Sequence, residues 1–339
     1  MQGAGTEASW LKGRVTYGSD CVVRDLKLGD ALYAVRNRAG ASNTLFERVR
    51  FRGGGGTGVD SSLIKLGDGA SSCDHITFSD CLVERNLGVE DASYSRGYLD
   101  ISIVENGDPG GAHVDSITFA GCHVGVSNGR TDIARNIGSP YADLVAYTWH
   151  GGDLVADHGW SNLRIVDCVF EAADAFCIDL ADYPLPSGER ASGPALVSGC
   201  TLKGGGARGS LYGYTICVES PKGVVIEGNT IYRGANNTFK MGCGDMSTVS
   251  PATVVRDNLF DLASDQGVAL GAPYFYLKGA GNRFTGNAVR AAAGDLVFWL
   301  HQARNNTITG NTLTVPASAT IFGFGEGCSG NVLAPNTVN

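Results

Sequence analysis

Three short apolar segments carry acidic side chains in positions where they could act together. FCIDLADYP holds Asp179 and Asp182, YTICVES holds Glu219, and YLDISIVE holds Asp100. Two carboxylates about 5–10 Å apart are what glycoside hydrolysis needs, one as acid and one as nucleophile or base. Crowding of two such groups also lifts one pKa, which keeps a general acid protonated near neutral pH. Asp179 is the leading catalytic candidate, with Asp182, Glu219 and Asp100 as its candidate partners. The plainer reading of each is a solvated strand-end or turn carboxylate.

Other side chains are candidates for holding a substrate. Lys240 could serve as a Brønsted base if its pKa were lowered, or simply pair with Asp179. Lys65 offers a second cation. His150 lies with His158, Asp153 and Asp157 in WHGGDLVADHGW. Histidine can be an acid, a base or a ligand, but this spacing fits no metal motif, and Cys-x-x-Cys is absent. The expectation is therefore no metal and no cofactor. Trp149, Trp160 and Tyr183 could stack on sugar rings or plug the core.

These residues must be positioned by strands, because the chain is one repeat. An alternating apolar stretch is followed by a small or acidic residue, then Asn or Cys, then an apolar pair. Examples are SITFAGCHV, LRIVDCVF, VVIEGNTI and NTITGNTL. The Asn/Cys slot falls at Leu26, Val49, Cys81, Cys122, Cys168, Cys200, Asn229, Asn258, Asn287, Asn311 and Asn331, so about eleven coils are expected. A second strand of the Ile-x-Leu type follows most slots. Period-two alternation separated by Gly-rich turns reads as a parallel β-solenoid. Glycine at 49 of 339 residues, about twice the usual share, then serves the tight turns.

Aligning the Ile-x-Leu strands on their inward pairs gives an outward column of Lys65, Ser102, Asp179, Cys217, Lys240, Ala269 and Trp299. The fourth coil, DLVAYTWHG, is ambiguous in register. Slot spacing reaches 41 and 46 residues in coils three to five. The surplus lies in insertions at 105–113, 127–143, 150–160 and 181–193, placed to wall a groove over these strands.

The repeat resembles that of the right-handed parallel β-helix superfamily, which includes pectate lyases, polygalacturonases, alginate epimerases and phage tailspikes. The resemblance covers roughly residues 15–335. It implies stacked side-chain amides at the Asn slot, and glycan bound over the Ile-x-Leu sheet. The catalytic motifs of individual members do not carry over. CVFEAADAFCIDLAD has Ala175 and Phe176 where the polygalacturonase pattern has its paired Asp. SLYGYTICV replaces that family's Gly-His-Gly, and LVADHG only echoes the epimerase Asp-Pro-His. Cys81, Cys122, Cys168 and Cys200 read as small buried side chains rather than disulfides.

Composition narrows the function further. Hydrophobic residues at 43% exclude disorder, and a net charge of −8 disfavours nucleic acid. No stretch is long and apolar enough for a membrane span. The expectation is a single all-β domain, 1–339, acting on a polysaccharide or oligosaccharide, as a glycoside hydrolase before a lyase or epimerase. The alternative is a non-catalytic glycan-binding or structural module of tailspike or adhesin type. Residues 1–14 and the NVLAPNTVN terminus supply no cap for the end coils, so capping by neighbouring domains of a longer protein or by a homotrimer is expected. A secreted or cell-surface location is expected, although Met1–Trp10 is no signal peptide.

Overall fold

The computed structural model describes residues 5, 9–29, 34–52, 62–67, 71–84, 99–103, 112–126, 142–148, 159–171, 176–182, 192–203, 214–219, 222–233, 237–241, 252–263, 274–291 and 296–339. Each circuit of the chain lays down three short strands, and equivalent strands of successive circuits pair in parallel. Among the described residues the first sheet has 11 strands, from Val15–Tyr17 to Thr320–Phe324. The second runs from Val22–Arg24 to Thr307–Thr309, with Gly159–Ser161 beside it. The third has 12 strands, from Trp10–Lys12 to Thr337–Val338. This is the parallel β-helix that the repeat implies. No described residue is helical, so no described helix can cross a membrane.

Parallel stacking in register explains the core. The same sequence position recurs on each rung, so like side chains pile up at the rung spacing of about 4.8 Å. Phe46, Phe78 and Phe119 stack with centroids 4.9 and 4.8 Å apart and planes 7° from parallel. Phe275, Phe298 and Phe322 form a second pile at 4.7 and 5.4 Å. Apart from Phe322, these rings are buried, and removing them from water supplies much of what holds the coils together.

The slot turn joins the second sheet to the third. The residue just before the slot is left-handed in coil after coil, with φ of 57° at Asp25, 53° at Asp167 and 66° at Gly199. Only glycine enters that region freely, and Asp or Asn at modest cost. Asp and Gly also alternate for a spatial reason. A Cβ on Gly121 would lie 2.6 Å from Asp80 Oδ1, and one on Gly286 2.5 Å from Asp257 Oδ1. At these rungs an Asp leaves room only for glycine on the next, whereas the rung after Asp25 carries Arg48, itself left-handed at φ 50° and paired with Asp25 at 2.7 Å.

At the slot itself, Asn229, Asn258, Asn287 and Asn311 each donate Nδ2–H to the Oδ1 of the next rung, at 2.9, 2.9, 3.0 and 2.9 Å. The last acceptor is Asn336, not Asn331. Asn331 instead ends a second ladder, in which it accepts from the Asn306 side chain at 3.0 Å, and Asn306 Oδ1 accepts from the backbone N–H of Asn282 at 2.8 Å. That ladder occupies the turn from the first sheet to the second. In the Cys segment the thiols copy the geometry weakly: Cys122 Sγ donates to Phe78 O at 3.4 Å, and Cys168 Sγ to Phe119 O at 3.5 Å. All described cysteines are free thiols.

Candidate active site on the first sheet

The first-sheet register settles the outward column. Arg36 pairs with Lys65, Lys65 with Ser102, Ser102 with Val145, Val145 with Asp179, and Asp179 with Cys217. Cys217 pairs with Lys240, Lys240 with Tyr276, and Tyr276 with Trp299. The ambiguous fourth coil thus places Val145 in the column. The expected Ala269 gives way to Tyr276: the sheet strand is Phe275–Ala280, whose Phe275 and Leu277 point into the core. Two alternating segments stood in that coil, and the one carrying Phe275 continues the ring pile between Phe239 and Phe298.

Asp179 sits on the strand Phe176–Asp182 with its neighbours Ile178 and Leu180 turned into the core. It is only 4% exposed, so it is no solvated surface carboxylate. Cys217 and Glu219 lie on the next rung, Tyr214–Glu219, and alternation turns both to the same side. A carboxylate oxygen of Asp179, the Cys217 Sγ and a carboxylate oxygen of Glu219 all lie within 4.8 Å of one another. The Cys217 thiol donates to Glu219 Oε1 at 3.5 Å. Two carboxylates and a thiol so close could divide a proton between them, or hold one cation with a position left open.

The other expected residues fall elsewhere. Asp100 is fully buried, but its side chain stands in the column of Cys177, two rungs and two residues from Asp179. Lys65 is 8% exposed and three rungs from Asp179 in the same column. Asp182 ends its strand opposite Thr148, and Lys240 lies opposite Cys217, but only their backbones are described. His150, Trp149 and Tyr183 lie outside the described residues, as do most residues of the four insertions. Trp160 is 1% exposed and serves as a plug over the core. The sequence already sets Asp179 beside the strand that carries Cys217 and Glu219, and the structure adds how close the three groups come.

A second cluster lies on the second sheet. Ser161 Oγ donates to Asp115 Oδ1 and lies 3.0 Å from His113 Nε2. Asn162 and Ser116 also donate to Asp115, each at 2.8 Å. A hydroxyl has one proton, and here Asp115 takes it, so His113 must be the donor to Ser161. This is the wrong polarity for a nucleophile activated by histidine. Burial works against the Asp115 charge, but the donors from Ser161, Ser116 and Asn162 prevail and hold its carboxyl below the usual range.

Neither the family models nor the characterised proteins compared with the chain show a match. Solved structures do. DFA-IIIase from Arthrobacter chlorophenolicus A6 without its lid, in complex with GF2, aligns with a TM-score of 0.54 at 12% identity, over 94% of this chain and 74% of that one. An alginate lyase from Paenibacillus sp. str. FPU-7 aligns with a TM-score of 0.51 at 13% identity, over 94% of this chain and 97% of that one. At such identity the likeness establishes a shared parallel β-helix.

Proposed function

We propose that this chain binds a polysaccharide along the outer face of the first sheet and hydrolyses it, with Asp179 and Glu219 as the carboxylate pair. The observation that carries the reading is the grouping of Asp179, Cys217 and Glu219 within 4.8 Å. That closeness suits the retaining arrangement, with carboxyl groups ~5–5.5 Å apart, better than the inverting one at ~6.5–9.5 Å. One carboxyl then protonates the glycosidic oxygen while the other attacks the anomeric carbon. Water later releases the sugar, and the anomeric configuration is retained. The Cys217 thiol, donating to Glu219, orients that carboxylate. The DFA-IIIase crystallised with GF2 and the alginate lyase support carbohydrate chemistry on this fold.

The test is a polysaccharide panel read by product mass spectrometry. A new reducing end without unsaturation is the expected result. An unsaturated product would assign a lyase, and binding without product would assign a non-catalytic module.

The thiol favours a second reading. Thiolate plus two carboxylates with an open fourth position is a donor set that suits zinc. Turnover that survives chelation supports the carboxylate pair. Turnover lost to a chelator and restored by zinc supports the metal.

A further inference from the structure

Trp299 stands in the same outward column as Asp179, four rungs further along the solenoid. The rung beyond it is the last of the first sheet, and the outward positions there are Gly323 and Gly325. Neither glycine has the positive φ that would call for glycine on backbone grounds. Both instead leave room for the indole where it lies. A Cβ on Gly323 would lie 2.8 Å from Trp299 Cε3, and one on Gly325 3.2 Å from Trp299 Cζ2 and 2.5 Å from His301 Nδ1. The indole therefore extends over the final strand, in the room that two side chains would otherwise fill. It remains partly open to solvent, as do Tyr276 before it and His301 beside it.

We propose that Trp299 is a sugar-stacking platform forming a distal glycan subsite, with Tyr276 and His301 at its border. The inference rests on the proposed polysaccharide reading and adds a length requirement to it. Aromatic rings take up the C–H face of a sugar, while neighbouring polar groups reach its hydroxyls. Four rungs at the strand spacing place the platform about 19 Å from Asp179. A pyranose unit advances a chain by about as much as one rung does. The occupant is thus an oligosaccharide running along the solenoid axis, long enough to cover some five units from the carboxylates to the indole.

The experiment uses the intact chain and a printed array of neutral and uronate oligosaccharides of two to eight units. The wild type is expected to bind the longest members about ten-fold more tightly than the shortest, a gain of the size one stacked ring contributes. Trp299→Ala should erase that gain and leave short-chain binding unchanged, while Trp299→Tyr should keep most of it. Hydroxyl-radical footprinting of the wild type gives the same answer without a variant: long oligosaccharides should protect Trp299 from oxidation, and short ones should not. A folded Trp299→Ala protein with an unchanged length gain, or Trp299 oxidised equally with and without long chains, overturns the platform. Failure of the hydrolase reading looks different: long chains still bind and protect Trp299, but no product forms.

Discussion

The backbone N–H of Cys200 donates to Asn229 Oδ1 at 2.8 Å, and there the thiol stack hands over to the amide ladder. On the Asn side each amide makes strong bonds to both neighbours. Asn258 Nδ2 reaches Ile226 O at 2.9 Å and Asn287 Oδ1 at 2.9 Å, while its own Oδ1 accepts from Asn229. On the Cys side the contacts are longer and softer. The hydrogen bond with the Cys168 thiol, and then burial, push the Cys200 thiol up.

The two halves of the slot should therefore respond differently to truncation. Asn258→Ala leaves several buried groups without partners and is expected to cost about 2–4 kcal/mol. Cys200→Ala removes a small apolar group with weak hydrogen bonds and is expected to cost about 1–2 kcal/mol. Urea denaturation midpoints of the two variants check the order.

The alternation of Asp and Gly before the slot makes a sharper test. Gly199 has φ +66° and faces Asp167 Oδ1, whereas Gly310 has φ +68° with only Gly286 N at 3.9 Å. Gly310→Ala should cost about 1–2 kcal/mol for the left-handed backbone alone. Gly199→Ala should cost clearly more. Exchanging the pair, Asp167→Gly with Gly199→Asp, should recover most of the loss caused by Gly199→Asp alone, as read by thermal midpoints.

Much of this fold was legible in the sequence because its period is short and its code is strict. The Ile-x-Leu pairs placed Lys65, Ser102, Asp179, Cys217, Lys240 and Trp299 in one column, as the register has them. The failures have physical causes. Alternation tells which face a residue takes, not what lies above it, so the 4% exposure of Asp179 was invisible. GNRFTGN, NNTITGN and GNVLAPN each carry two Asn five residues apart, and each pair serves two turns. The last slot reads as Asn331, whereas the ladder runs to Asn336, the other member of that pair. That recurring spacing was itself the signal for the second ladder.

Thiol reactivity should map the solenoid. Cys81, Cys122, Cys168, Cys177, Cys200 and Cys217 are at most 1% exposed, while Cys21 and Cys328 are partly open. Burial, aided by Asp74, pushes Cys73 up to about 12. Native labelling with iodoacetamide at pH 8, read by peptide mass spectrometry, should mark Cys21 and Cys328 first. It should spare the buried six and Cys73 until denaturant is added.

Asp115 predicts a loss of stability in acid. Its carboxyl is depressed in the folded chain by the donors from Ser161, Ser116 and Asn162, against the opposing effect of burial. A depressed carboxylate contributes fully above its unfolded value of ~3.9, and the contribution disappears as pH falls through the lower folded value. Asp115→Ala should therefore lower the thermal midpoint at pH 6, and the gap to wild type should close as the pH falls below 4.

Cys217 separates the two readings of the site. If Asp179 and Glu219 act as a carboxylate pair, Cys217→Ser keeps a donor for Glu219, and turnover should fall less than about ten-fold. If the three residues hold a metal, the serine variant should lose a thiophilic ion. The absorption of the cobalt-loaded protein reports this directly, since a thiolate–cobalt band requires the sulfur.

The central claim stands on Asp179. On the substrate that the panel identifies, Asp179→Asn is predicted to lower kcat by about 10²–10⁴-fold, the usual worth of a positioned acid or base. Its oligosaccharide affinity and thermal midpoint should stay near those of the wild type. An Asp179→Asn protein that turns over the same substrate at the wild-type rate would contradict the account.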